Sequence, residues 1–281
     1  MQHDDGTFTA YDGTTIYHQS WAPDGRPKAV VLLVHGLGEH SGRYQHVAET
    51  LVDAGYAVAA LDHRGHGKSS GKRVFVKSYD EFMRDLTQFR RHVETEHPDT
   101  PLVVLGHSMG GNLAMGHVLG NQDDIAALAL SGALLKVGDD VSPIQRKALH
   151  AIATVAPGVR PLGLPADAVS RDPEVVQRYV DDPLVHTGKI TAGLIAALFG
   201  AIDGFAARYP DLTMPIWIGH GTDDHLVEVA GSRQLEAAAV NADVEAHYYE
   251  GLYHEIFNEP EHDVVLADLV AWLDRTIDVD V

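Results

Sequence analysis

The chain has 281 residues, 45% of them hydrophobic, and sets 21 Lys+Arg against 40 Asp+Glu for a formal charge of −19. Such a surface repels phosphate, which excludes nucleic acid and argues against electrostatic attraction to anionic lipid. The absence of cysteine excludes disulfides and thiolate metal sites. With seven lysines only, the acid excess has two readings. One is a soluble, self-repelling surface; the other is adaptation to salt, where screening removes the repulsion between carboxylates.

In chain order, Phe8–Tyr11 and Thr15–Trp21 flank Asp12-Gly13-Thr14 and read as an opening hairpin. Val30–Val34 is a β-branched run of the kind buried on both faces of a sheet. Tyr44–Ala54 is helical up to Gly55, Ala57–Leu61 is a strand, and Tyr79–Glu96 is a helix that stops before Pro98. Leu102–Leu105 is a strand, Asn112–Leu119 a helix and Ile125–Leu130 another strand. The alternation then lapses from Gly132 to about Leu212, where prolines break up helix-like segments. It resumes with the strand Pro215–Gly219, the helix Gly231–Val240, the strand Val244–Tyr249 and a final helix from Pro260 to Ile277. A structureless loop beyond about 15 residues is uncommon in a compact domain. The pattern therefore predicts an α/β core, residues 1–132 and 213–281, with a helical cap, residues 133–212, inserted after the sixth strand.

One cap segment, Ile190–Ile202, carries no charge and gathers Ile190, Leu194, Ile195, Leu198, Phe199 and Ile202 on one helical stripe. Ordinary packing explains such a stripe. The alternative is that Leu198 and Phe199 line an acyl pocket or touch lipid. No apolar run reaches the roughly 18 residues of a membrane span, and the N-terminus lacks a secretory apolar core. The expected location is the cytoplasm, with peripheral membrane contact through the cap.

Gly106-His107-Ser108-Met109-Gly110 lies between a predicted strand and a predicted helix. That order describes a nucleophile elbow, in which a tight turn raises the serine hydroxyl above the sheet. The hydroxyl needs a base, and the base needs an acid to hold its tautomer. Among eighteen histidines, His254 follows the last predicted strand on a loop that Gly251 can turn. His35, His107 and His220 adjoin glycine turns beside other parts of the site and read as loop-orienting residues. Asp224 follows the preceding strand, with Leu226 and Val227 to anchor its loop, and Asp223 reads as a turn former. The two oxyanion donors are the amides of Met109, after the nucleophile, and Leu37, in His35-Gly36-Leu37-Gly38. Gly65-His66-Gly67-Lys68-Ser69 lacks the first glycine of a phosphate loop, and His254-Glu255 does not continue as a zinc motif. No metal or cofactor is expected.

Several segments together resemble one family. They are His35-Gly36-Leu37-Gly38-Glu39-His40-Ser41-Gly42-Arg43-Tyr44, Leu61-Asp62-His63-Arg64-Gly65-His66-Gly67-Lys68-Ser69, Gly106–Gly111 and Tyr249–His254, with Arg171–Glu174 and Tyr179–Leu184 in the cap. The chain is similar to the bacterial monoacylglycerol lipases of the α/β-hydrolase superfamily. The resemblance implies a mostly parallel central sheet flanked by helices, an inserted helical cap, and cofactor-free release of one fatty acyl chain from glycerol. It also implies that Glu39, Arg43 and Tyr179 help receive the glycerol hydroxyls. From the residues alone, Glu39 and Arg43 at i and i+4 equally form a local ion pair. A broader carboxylesterase or lysophospholipase, and an acyltransferase, are the rival activities for the same triad. Oligomeric state is not legible.

Overall fold

The computed structural model describes residues 1–138 and 141–277. Eight strands form one sheet in the order β1-β2-β4-β3-β5-β6-β7-β8. The opening hairpin, β1 (Gln2–Thr9) and β2 (Thr15–Ala22), is antiparallel, and β2 also pairs antiparallel with β4. Every later pairing is parallel. β1 begins well before the predicted Phe8, because edge pairing with β2 needs little apolar content and so leaves a weak pattern. The Asp12 carboxylate accepts the Thr14 amide at 3.1 Å, and Gly13 takes a φ of +86° to close the turn.

The sheet centre is β3 (Val30–Val34), β4 (Ala57–Leu61), β5 (Leu102–His107), β6 (Ala127–Ser131) and β7 (Ile216–Gly221), with every residue of each buried. Alternate side chains feed two cores. Leu32, Val34, Ala59 and Val104 pack with α2 (Tyr79–Glu96) and α3 (Met109–Asn121) on one face. Leu33, Val58, Val103 and Leu105 pack with α1 (Gln45–Asp53) and α8 (His262–Thr276) on the other. Between β7 and α8 the chain runs through α7 (Val229–Ala238) and β8 (Val244–Tyr249).

Between β6 and β7 the chain leaves the sheet through α4 (Pro143–Val155), α5 (Pro173–Asp181) and α6 (Ala192–Phe205). α4 starts in a capping box of Ser142 and Gln145, and Asp172 caps α5. No residue of α4 is buried, and Ile144 and Val155 are 80% and 86% exposed. α6 is the opposite: Leu194, Ile195, Leu198, Ile202 and Phe205 enter the same core as β3 and α3. With its 3₁₀ continuation the helix runs Ala192–Asp211, 20 residues containing an 18-residue window of mean hydropathy 1.2, long and apolar enough by length and composition to cross a membrane. That corrects the expectation that no segment is. The bounding charges, Lys189 and Asp203, are exposed, and the apolar stripe is occupied by packing.

Candidate active site

β5 delivers the elbow. Ser108 follows it at φ +55° and ψ −119°, a region β-carbon sterics disfavour by about 1–3 kcal/mol. The surroundings hold it there: the Ser108 amide donates to the Ser131 carbonyl at 3.0 Å, and the Ser108 carbonyl accepts Leu134 and Asn112 amides at 3.0 and 3.1 Å. The flanking glycines are required by contact. A β-carbon at Gly106 would sit 2.5 Å from the Gly110 carbonyl, and one at Gly110 would sit 1.9 Å from the Val34 carbonyl. The turn is thus wedged against the end of β3. Met109 is the first residue of α3, so its N–H has no intrahelical acceptor. Leu37, beyond β3, lines the same cavity as Ser108 and His254.

Asp224 lies just past β7. Its Oδ1 accepts the amides of Leu226 and Val227 at 2.8 and 2.9 Å, and its Oδ2 accepts Nδ1–H of His254 at 2.7 Å. Asp223 is exposed. A β-carbon at Gly221 would lie 2.2 Å from the Leu252 carbonyl, which shows how closely the acid loop meets the histidine loop. Gly251, at φ +74°, starts that loop. Burial opposes the ionisation of Asp224, but the charge of His254 and hydrogen bonds from His220 and His254 outweigh it and hold the carboxyl well below its usual range. Burial likewise opposes the charged form of His254, and the Asp224 carboxylate outweighs it, so His254 is raised above its ordinary value. Because Nδ1 donates to Asp224, Nε2 is left to accept a proton.

Glu39, Arg43 and Tyr179 come together. Arg43 Nη1 donates to Glu39 Oε2 at 2.6 Å, and its two amino groups grip Glu255 at 2.7 Å each. The Tyr179 ring stacks 4.7 Å from the guanidinium. Glu39 Oε1 also accepts the Gly36 amide and the Tyr44 hydroxyl, each at 2.6 Å. Arg43 therefore ties the Gly36–Glu39 loop to the residue next to His254. Glu39, Tyr179 and Glu255 line the cavity, and the Arg43 side chain lies behind them.

Leu198 and Phe199 are not among the cavity's described lining residues. Leu198 is buried in the core and Phe199 packs against it, so the alternative that they line an acyl pocket is corrected, and the stripe is the ordinary packing that was the other reading. Ile190 from the same segment does line the cavity, with Val74, Leu164, Val169 and Leu226. Backbone bonds also reach the site from the segment between β6 and β7: the His186 amide donates to the Gly38 carbonyl at 2.6 Å, and the Val169 carbonyl accepts the Glu255 amide at 2.8 Å. Sequence reasoning missed Glu255 as a partner of Arg43. Its position directly after His254 was the one available signal.

An elbow serine on a central parallel strand, with an Asp–His pair on loops after later strands, defines a serine hydrolase of the α/β-hydrolase fold. Residues 25–261 match the family described as Serine aminopeptidase, S33. A monoacylglycerol lipase of Mycolicibacterium smegmatis is 43% identical over 267 residues, covering 95% of this chain and 95% of its own. A monoglyceride lipase of Rattus norvegicus is 32% identical over 273 residues, covering 95% and 89%. The crystal structure of Paleococcus ferrophilus monoacylglycerol lipase superposes with a TM-score of 0.84 at 30% identity, covering 93% of this chain and 99% of that one. The chain belongs to this family, and within it to the serine ester hydrolases of the monoacylglycerol lipase type.

Proposed function

We propose that the chain hydrolyses monoacylglycerols to fatty acid and glycerol through an acyl-enzyme. Ser108 Oγ attacks the ester carbonyl while His254 Nε2 takes its proton, and Asp224 steadies the imidazolium. The amides of Leu37 and Met109 receive the oxyanion. As the tetrahedral species collapses, the ester C–O bond breaks and His254 returns its proton to the departing glycerol oxygen. Water then attacks the acyl carbonyl by the same route, and Ser108 is regenerated with release of the fatty acid.

The observation that carries this reading is the 2.7 Å His254–Asp224 bond, with His254 and the elbow serine lining one cavity. The described lining includes no lysine or arginine, and Arg43 is already paired with two carboxylates. That favours a neutral alcohol over the phosphate of a lysophospholipid. We also read residues 133–212 as the cap over the core of 1–132 and 213–281. In a protein working peripherally from the cytoplasm, lipid contact falls to the exposed apolar side chains of α4 and of Val159 and Leu162 rather than to α6.

Ser108→Ala is the test, with fluorophosphonate labelling and a panel of mono-, di- and triacylglycerols. Turnover of monoacylglycerol should fall to about the 10³-fold over water left by binding and the oxyanion hole, and labelling should vanish. Near-normal turnover would refute the assignment. Acyl transfer to added alcohol in preference to water would replace hydrolysis by transferase activity.

A further inference from the structure

His220 ends up fully buried beside the acid, in a place that loop packing alone does not explain. Its Nδ1 lies 2.8 Å from Ser232 Oγ, and Ser232, on α7, is itself fully buried. Its Nε2 lies 3.1 Å from Asp224 Oδ2 and 3.3 Å from the Val227 carbonyl. Neither oxygen has a proton to give, because Asp224 is ionised. Nε2 must therefore carry the hydrogen, and in the neutral ring Nδ1 is then an acceptor. The proton on that side comes from the Ser232 hydroxyl. The opposite tautomer would turn a lone pair toward a carboxylate and a carbonyl, which costs the desolvation of buried groups left unpaired.

The geometry points to His220 as a positioning residue for the reaction: its Nε2–H restrains the Asp224 carboxylate alongside His254, and Ser232 fixes the tautomer that lets it do so. The inference rests on the Ser108–His254–Asp224 reading above. Asp224 then sits at the centre of a buried relay that runs from Ser232 through His220 to the carboxylate and on to His254. Two backbone amides hold Oδ1, while both imidazoles converge on Oδ2. Taking away the His220 donor leaves more of the carboxylate's charge for His254 and frees Oδ2 to swing. The first effect raises the basicity of His254, and the second misaligns it.

Other groups also face the His254–Asp224 pair. The His107 ring is 4.8 Å from His254, at the end of β5. Glu39 from the loop after β3, and Glu255 held by Arg43, act on His254 through their charge. None of these is altered by changes at His220 or Ser232, so differences between variants report the relay.

The experiment compares His220→Leu, His220→Gln and Ser232→Ala with the unmodified enzyme, by pH profiles of kcat and kcat/KM on a monoacylglycerol. His220→Leu should lower kcat roughly ten- to a hundredfold, the range seen when the outer partner of an active-site ligand is lost from metal sites, with KM nearly unchanged. Its acid limb should move up by about half a pH unit. The far-downfield proton resonance of the His254–Asp224 bond should shift with it. His220→Gln, which keeps a donor near Nε2, should recover most of kcat and return the limb. Ser232→Ala should fall between them. The inference is overturned if folded His220→Leu matches the wild type, or if His220→Gln is as impaired as His220→Leu. Should His220→Leu fail to fold, a Ser232→Ala enzyme with wild-type kcat and limb overturns it instead. Asp224→Asn separates the two levels. Full activity there sinks the triad itself; a loss near 10⁴-fold upholds it, and the His220 and Ser232 variants then decide the relay.

Discussion

Arg43→Met is the sharpest perturbation of the bridge between the Gly36–Glu39 loop and the histidine loop. The side chains of Arg43, Glu39 and Glu255 are 11%, 4% and 5% exposed, so removing the cation leaves two buried carboxylates facing one another. Breaking a buried pair from one side costs about 3–5 kcal/mol, a large part of a typical stability of about 5–15 kcal/mol. For a chain of this size that lowers Tm by roughly 10 °C. The pH dependence identifies the cause. Burial resists ionisation of Glu255, but Arg43 outweighs it and holds the carboxyl below its usual range. In the wild type this group adds stability above its unfolded pKa, and that stability is lost as pH falls through the folded value. In Arg43→Met burial loses its strongest opponent, leaving only the weaker pull of His107 and His254, and Glu39 repels, so the folded pKa rises above the unfolded one. The fold then binds the proton more tightly, and stability grows as pH falls. Urea melts at intervals from pH 8 to pH 5 should show the deficit largest at pH 8 and shrinking toward pH 5. A deficit under about 1 kcal/mol, or one equal at every pH, refutes the bridge as a desolvated network.

Gly110→Ala drives a β-carbon to 1.9 Å from the Val34 carbonyl; it should cost more than about 3 kcal/mol and abolish fluorophosphonate labelling. Gly120→Ala on the same helix meets nothing within 4 Å and should be neutral or stabilise by up to about 1 kcal/mol; equal melting temperatures for the two would refute the wedge. Acid is a third lever. His35, His63 and His66 are buried beside the end of β3, where burial lowers His35 to about 4 and His66 to about 3, and burial, aided by His35 and His66, holds His63 well below its ordinary value. Their folded pKa values lie below the unfolded 6.5, so the stability they contribute is present above about pH 6.5 and is lost as pH falls toward 4, by about 1.4 kcal/mol per pH unit for each. Urea titration that finds stability flat between about pH 6.5 and 5 would contradict this.

The elements that could be read were those with a clear local pattern, either continuous or periodic. β3 and β4 are apolar at every position because both sheet faces are covered, and their bounds match the sequence reading to the residue. Tyr79–Glu96 was equally clear, since its apolar stripe and the following proline agree. Ile125 and Ala126 read as strand but precede β6, because hydrophobic content continues into a turn closed by the Ile125 amide on the Gln122 carbonyl. In α6 the period was visible but its destination was not. A stripe of Leu194, Leu198 and Ile202 is the same pattern whether it meets a ligand, a lipid or α3, and only the third dimension chose α3.

The site divides along the same line. Ser108, Asp224 and His254 were legible because each follows a strand end, and topology alone brings strand ends to one edge of a parallel sheet. What aligns them is carried by contacts without local pattern. Arg43 meets Glu255 across 212 positions, and no spacing rule links a helix-start arginine to a residue after the last strand. His220 was legible only as a histidine next to a glycine; its value comes from Ser232 twelve positions on, after the chain has turned into α7. Both supports attach to residues adjoining the reacting ones or to the acid behind them, never to the serine itself. A variant that keeps all three reacting side chains and loses either support should therefore bind fluorophosphonate more slowly rather than not at all. That ordering of rates is what separates alignment from chemistry in this enzyme.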